Sequence, residues 1–169
     1  VVIDDSIVRG TTLEKSILKM LDRLEPKKIV IVSSCPQIRY PDCYGIDMSK
    51  MGEFVAFRAM RELLKDQGKD YLLDEVYEQC QQARGNEQHK NFVQQLYAEY
   101  TDEELSAKIT EIVRPAEMNA ALEVVFQTVE NLHKAIPNHK GDWYFTGNYP
   151  TSGGMRVVNK SFINYLDGK

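Results

Sequence analysis

The chain has 169 residues, enough for one domain or one and a half with a real hydrophobic core. Its 25 acidic and 21 basic residues leave a net charge of -4, which gives no electrostatic case for binding nucleic acid or an anionic membrane. The longest apolar runs, such as Ile29-Val30-Ile31-Val32, are far too short to cross a bilayer, and no basic stretch leading into an apolar one reads as a signal peptide.

Val1 to Asp4 reads as a short buried strand. Thr11 or Thr12 is placed to cap a helix running to about Leu24, because Leu13, Ile17, Leu18, Leu21 and Leu24 recur at helical spacing and Pro26 follows. Lys28 to Ser34 is a second strand, with Ile29 to Val32 expected to be buried on both faces. Strand, helix and strand in about 35 residues make a βαβ unit, hence parallel pairing with a right-handed crossover. Pro36, Pro41 and Gly45 mark a loop to about Ile46.

A helical stretch is expected from Ser49 to about Lys65, broken by Gly68. Tyr71–Arg84, Gln88–Tyr100, Asp102–Val113 and Ala116–Ala135 read as four more helices, with Thr101 and Glu104 forming a capping box. No strand-like alternation interrupts this region, which reads as a helical layer or small bundle. In the turn-rich tail, Trp143–Phe145 and Met155–Val158 read as short strands, and Asn159 as the cap of a last helix, Lys160–Leu166. The expected class is α/β: a partial parallel sheet followed by a mainly helical C-terminal region. The expected divisions are 1–66, 67–136 and 137–169.

Cys35, Cys43 and Cys80 are few, odd in number and without CxxC spacing, which fits a reducing, cytoplasmic compartment. His89, His133 and His139 show no metal-ligand spacing, so no metal is assigned to them. The chain opens inside a strand without an initiator Met, as expected of a segment of a longer protein.

Chemistry concentrates in Val1-Val2-Ile3-Asp4-Asp5-Ser6-Ile7-Val8-Arg9-Gly10-Thr11-Thr12. Ligands of open parallel sheets sit beyond the carboxyl ends of strands. Asp4 and Asp5 fall at such an end, and Gly10, Thr11 and Thr12 fall at the following helix N-terminus, where free N–H groups and the dipole favour an anion. Like charges 4 Å apart cost about 4 kcal/mol at an effective dielectric of 20, so a phosphate must sit against residues 8 to 12, away from the carboxylates. The carboxylates then face vicinal hydroxyls, Mg²⁺ or both. The expected ligand is a ribose 5-phosphate. The Lys of a nucleoside-triphosphate loop is missing. A receiver domain needs an Asp ending a later strand, and none is visible. A plain turn with Asp5 or Ser6 satisfying backbone donors is the alternative without a ligand.

These twelve residues resemble the phosphoribosyl pyrophosphate (PRPP) motif of the type I phosphoribosyltransferases. The SIVRGTT form, together with Pro36-Gln37-Ile38-Arg39-Tyr40-Pro41-Asp42-Cys43-Tyr44-Gly45-Ile46-Asp47-Met48, is similar to the amidophosphoribosyltransferases within them and their PxIRxPxxYGIDM stretch. Phe145-Thr146-Gly147-Asn148-Tyr149-Pro150-Thr151 is similar to the end of some members. The resemblance implies that Asp4 and Asp5 hold the ribose hydroxyls and help bind Mg²⁺, and that Ser6, Ile7, Val8, Arg9, Gly10, Thr11 and Thr12 form the 5-phosphate loop. It implies formation of 5-phosphoribosylamine from PRPP and glutamine-derived ammonia, the committed step of purine synthesis. It also implies purine nucleotides as feedback inhibitors, a glutaminase domain that is not in this chain, and homo-oligomers. Such an enzyme would be active only as the full protein, with this segment inactive alone.

Arg39 and Tyr40 are further candidate ligand contacts, or else pins for their loop. Asp47 reads as a helix cap. The aromatic residues Trp143, Tyr144, Phe145 and Tyr149 read as local core or interface rather than as a purine stack. Some members hold an iron–sulfur cluster through cysteines; the matching positions here are Gly141, Tyr144 and Asp42, with Cys43 displaced by one, so no cluster is expected. Two rival readings remain: a non-catalytic helical assembly or regulatory module with a vestigial phosphate loop, and another type I phosphoribosyltransferase.

Overall fold

A computed structural model describes residues 1–42, 48–85, 90–138 and 141–169. Strand β1 is Val2–Asp4, β2 is Lys28–Ser33 and β3 is Ala121–Phe126. They form one parallel sheet in the order β1-β2-β3, with Val2 beside Ile31 and Ile31 beside Val124. Helix α1 starts as a π-helical segment, Leu13–Ile17, and continues as α-helix over Leu18–Asp22. The other helices are α2 (Val55–Asp66), α3 (Tyr71–Gln82), α4 (Gln94–Tyr97), α5 (Asp102–Val113), α6 (Val129–Ala135), α7 (Trp143–Thr146) and α8 (Ser152–Leu166). A short 3₁₀ turn, Met51–Glu53, precedes α2.

The α/β class and the first βαβ unit stand as read from the sequence, and α5 has the expected capping box between Thr101 and Glu104. The region after residue 100 departs from expectation. Ala116–Ala135 is not one helix: β3 occupies its middle and only α6 is helical. Leu122, Val124 and Phe126 alternate toward the side of the sheet that faces the helices, and β2 supplies the ladder partners that no local pattern reveals. Among the described residues the parallel sheet therefore has three strands, where the sequence reading offered two for it and two more in the tail. The receiver-domain reading stays excluded on a different ground, since β3 ends at Phe126 and Gln127-Thr128 follow, with no Asp at the strand end.

The tail departs as well. Trp143–Thr146 is a helical turn and Ser152–Leu166 a 15-residue helix capped by Thr151, whose hydroxyl accepts from the Gly154 N–H. Asn159 is therefore no cap. It is buried in mid-helix, accepting from the Phe92 N–H at 3.2 Å and donating to the Lys90 carbonyl at 2.8 Å. The expected helix before Tyr100 shrinks to α4, with Gln88 itself outside the described residues. The expected helix from Ser49 is divided at Phe54, whose backbone is extended.

Both crossovers run in one direction along the sheet. Right-handed connections then put the helices on one face. That face is the core: Ile29, Ile31 and Val124 lie under Leu18, Phe57, Met60, Ile109 and Phe162 in a single cluster. Phe57 makes edge-on contacts with Phe162 and Tyr165, joining α2 to α8. The opposite face carries Ile3 (73% exposed), Val125 (39% exposed), Val30 and Val32, none of them packed on the core cluster. The expectation that β2 is buried on both faces therefore holds for one face only.

Asp22, at the end of α1, accepts from the Ala120 N–H at 2.9 Å and the Asn119 N–H at 3.1 Å, fixing the chain just before β3. These backbone donors hold its carboxyl below the ordinary carboxylate value. A folded-state pKa below the unfolded one contributes stability above the unfolded value, and that contribution is lost as pH falls through the folded one. Asp22→Ala is therefore expected to be less stable than the parent chain at pH 7 in urea denaturation. The difference should shrink on acidification below about the ordinary value of 3.8. A difference constant across that range would mean that the charge of Asp22 is not what holds Ala120.

Candidate functional site

Strand β1 delivers Asp4 to the carboxyl end of the sheet, where the Ser34 N–H donates to its carbonyl at 2.9 Å. The chain then turns away from the sheet into a loop that three contacts hold down. Ile7 is buried, and the Val55 N–H at the start of α2 donates to the Val8 carbonyl at 2.8 Å. Gly10 is buried with φ +72°, and a Cβ there would lie 2.7 Å from Val113 Cγ1 of α5. Glycine is required twice over, by its backbone conformation and by the close approach of α5. Arg9 adds an exposed ion pair with Glu53 at 2.8 Å.

The loop encloses a cavity of about 440 Å³ lined by Asp4, Ser6–Thr12 and Leu13. Eight of the nine expected loop and carboxylate residues thus share one concave surface: Asp4, Ser6, Ile7, Val8, Arg9, Gly10, Thr11 and Thr12. Asp5 is exposed and does not line it. Thr12 has helical backbone and its hydroxyl caps nothing, contrary to the expected cap. Among the described residues, the hydroxyls of Ser6, Thr11 and Thr12 have no protein partner, which leaves them available to a ligand beside the N–H groups of the first helical turn. The π-helical start of α1 widens that turn, a feature frequent at functional sites.

Burial raises the Asp4 carboxyl above its ordinary range, and the adjacent Asp5 carboxyl raises it further, while the N–H groups of Asp5 and Ser6 pull the other way. A donor or cation placed against this pair relieves that strain. Burial first, and then the charge of Asp5, push the Cys35 thiol up to about 11, so Cys35 is a protonated thiol donating to the Pro36 carbonyl.

Arg39 and Tyr40 stand elsewhere. Arg39 donates to Gln37 Oε1 at 2.8 Å, pairs with Asp102 at the start of α5 and lies over the Tyr97 ring. Tyr40 is 2% exposed and edge-on to Tyr97. Both N–H groups donate to the Tyr144 carbonyl, at 2.9 and 3.1 Å. Neither lines the loop cavity. The Tyr149 hydroxyl donates to the Pro41 carbonyl and Tyr149 is 3% exposed, so this aromatic is core. Gly147, φ +76°, takes Asn91 Nδ2 on its carbonyl at 3.1 Å, in a space where a Cβ would meet Tyr40. The loop after β2 and the tail, 104 to 108 residues apart at these contacts, therefore pack as one unit. The Tyr44-Gly45-Ile46-Asp47 segment, with the expected Asp47 cap and Cys43, lies outside the described residues. The supports Glu53, Val55 and Val113 were not legible in the sequence, since each lies 44 or more residues from its loop contact and carries no local signal.

A parallel sheet whose first strand ends in carboxylates and runs into a glycine- and hydroxyl-bearing loop at a helix N-terminus defines a class: α/β proteins whose candidate ligand site lies at the carboxyl end of the sheet. The comparisons with known proteins give the particular relationship. The amidophosphoribosyltransferase of Pasteurella multocida (strain Pm70) is 41% identical over 90 residues, 53% of this chain and 17% of that protein. That of Haemophilus influenzae is 46% identical over 72 residues, 42% of this chain and 14% of that protein. That of Pyrococcus horikoshii is 41% identical over 73 residues, 43% of this chain and 16% of that protein. Over these 72 to 90 residues the chain is similar to the amidophosphoribosyltransferases, and the match spans about one sixth of the length of those proteins. No family model and no solved structure matches it.

The geometry at Gly10 predicts a large effect from one methyl group. Gly10→Ala incurs roughly 1–2 kcal/mol for the left-handed backbone and about 1–3 kcal/mol for overpacking against Val113. The urea midpoint should fall accordingly. An unchanged midpoint would mean that the loop does not pack on α5.

Proposed function

We propose that this chain supplies the ribose-phosphate wall of an amidophosphoribosyltransferase active site, within an enzyme that makes 5-phosphoribosylamine from PRPP and glutamine-derived ammonia in purine biosynthesis. The observation that carries the proposal is the single cavity that joins Asp4 to the Ser6–Thr12 loop. Its kinship to enzymes of that name supports the reading. The 5-phosphate sits in the first turn of α1, taking hydroxyl donors from Thr11 and Thr12 and free N–H groups; such charge-assisted bonds contribute about 1.5–3 kcal/mol each. Asp4, with Asp5 beside it, accepts from the ribose hydroxyls. Held at both ends, the ring keeps C1 in line for ammonia as its bond to pyrophosphate breaks, and neither aspartate need act as a base.

The two carboxylates also suit Mg²⁺, which typically takes one or two protein carboxylates and completes its shell with water and substrate phosphates. Among the described residues no group of three or more His, Cys, Asp or Glu side chains is placed to hold a metal ion, so Asp4 and Asp5 would hold Mg²⁺ only together with water and substrate phosphates. Bound there, Mg²⁺ neutralises charge on the pyrophosphate leaving group.

The sheet face away from the core supports an assembled enzyme. Parallel sheets are normally covered on both faces, and here Ile3 and Val125 are exposed and Val30 and Val32 half-buried, off the core cluster. We assign the glutaminase portion, the remaining transferase strands and homo-oligomer contacts to that larger assembly, with purine nucleotides as inhibitors using the same phosphate loop. Among the described residues no helix is long and apolar enough to cross a membrane, and the proposed site of action is the cytoplasm.

Titration of the chain with PRPP and Mg²⁺, followed by amide chemical shifts, tests the proposal. Shifts should concentrate on Ser6–Thr12 and vanish in Asp4→Asn/Asp5→Asn, a variant expected to fold because it removes a raised, half-buried carboxyl. Equal affinity in the variant would sink the assignment. With ammonium, PRPP and Mg²⁺, the chain alone should form no phosphoribosylamine; measurable turnover would show that this wall is a complete site.

A further inference from the structure

A second cavity, of about 600 Å³, lies between α3 and α8, in the region for which the phosphoribosyl reading gives no role. Its floor is apolar: Cys80 is 2% and Ile163 1% exposed, and Val157 is half-buried. Its charged lining is of one sign, with Arg84 from the end of α3 and Arg156 and Lys160 from α8. Among the described residues no carboxylate lines it, although acidic residues outnumber basic ones in the chain.

Among the described residues these three cations have no ion-pair or hydrogen-bond partner for their side chains. At helical spacing from Arg156 stand Ser152, Gly153, Asn159 and Lys160, so no acid offsets it. Arg156 and Lys160 are themselves an i,i+4 pair of like charge, and Arg156 sits in the second turn of α8, near the positive end of the helix dipole. Arg84 alone has an ordinary explanation, as a cation at a helix C-terminus, and its charge also reaches Asp167. That carboxylate is already taken by the Tyr77 hydroxyl and Lys169, both at 2.8 Å. Gly153 leaves the mouth open, since a Cβ there would meet nothing nearer than Thr151 Oγ1 at 3.8 Å.

Clustered like charges around an apolar floor are unfavourable for folding alone and favourable for an anion that also has an apolar body. The volume falls within the range of small-molecule sites, roughly 300–1,000 Å³. We propose that this groove binds a phosphate ester with a flat apolar body, the phosphate against Arg84, Arg156 and Lys160 and the body on Cys80, Val157 and Ile163. This is independent of the phosphoribosyl reading, because no residue is shared with the Gly10 loop.

The test is a chemical-shift titration of the 169-residue chain with 1-naphthyl phosphate and, separately, inorganic phosphate. The expected result is saturable binding of the ester with shifts at Cys80, Ala83, Val157 and Ile163, at least tenfold tighter than phosphate. Arg156→Gln/Lys160→Gln, two exposed positions, should weaken it at least tenfold. Shifts confined to Ser6–Thr12 would place the ester in the first site and overturn the proposal. Equal affinity for inorganic phosphate, or no loss in the double variant, would overturn it as well.

Discussion

Parallel strands joined by right-handed crossovers in a single direction place their helices on one face of the sheet. That constraint organises this chain. It puts Ile29, Ile31 and Val124 under one layer of helices, where α2, α5 and α8 close the core around Phe57 and Phe162. It brings the carboxyl ends of the strands to one rim, so the loop after β1 emerges beside Ser33 and Cys35 rather than at a remote corner. And it leaves Ile3, Val30, Val32 and Val125 off the core cluster, with Ile3 and Val125 exposed, which gives the sheet a finished side and a less covered one.

The loop cavity depends on the finished side. The loop that lines it is held by elements far along the chain: Val55 of α2 holds Val8, and Val113 of α5 packs where Gly10 lacks a side chain. A loop pinned at Ile7, Val8 and Gly10 presents its hydroxyls and N–H groups at fixed positions, which lowers the ordering cost of binding a phosphate. Asp4 is held at the other end of the same cavity by the strand itself. Its burial beside a second carboxylate is an electrostatic cost retained in the fold, and the ligand chemistry proposed for it supplies the offset.

Sites and supports were unequally legible. Asp4 and residues 6–12 were readable because strand, acid pair, glycine and hydroxyls are contiguous, and contiguous residues stay neighbours in any fold. Arg39 and Tyr40 were visible as a motif, but their partners Asp102, Tyr97 and Tyr144 lie 57 or more residues away, so the sequence left ligand contact and pinning equally open. Asn159 was misread because an amide near a turn-rich tail suggests a cap, whereas its partners are Phe92 and Lys90 on a separate segment. The basic groove between α3 and α8 left no local mark, since Arg84 and Arg156 meet only through packing.

By itself the sequence determined the α/β class, the first βαβ unit, the capping box of α5 and the chemical character of the opening loop. Each depends on hydrophobic period, turn residues or functional groups within a few positions of one another. The tertiary structure decided what distant pairing decides. Ala121–Phe126 became a strand because β2 offered a ladder, and Thr151 caps α8 while the Asn159 amide, in mid-helix, bonds Phe92 and Lys90. Gly10 became indispensable because α5 arrives against it. A helix or turn is specified by its neighbours in the chain, but the third strand, the loop's supports and the less covered sheet face exist only once the chain has closed on itself.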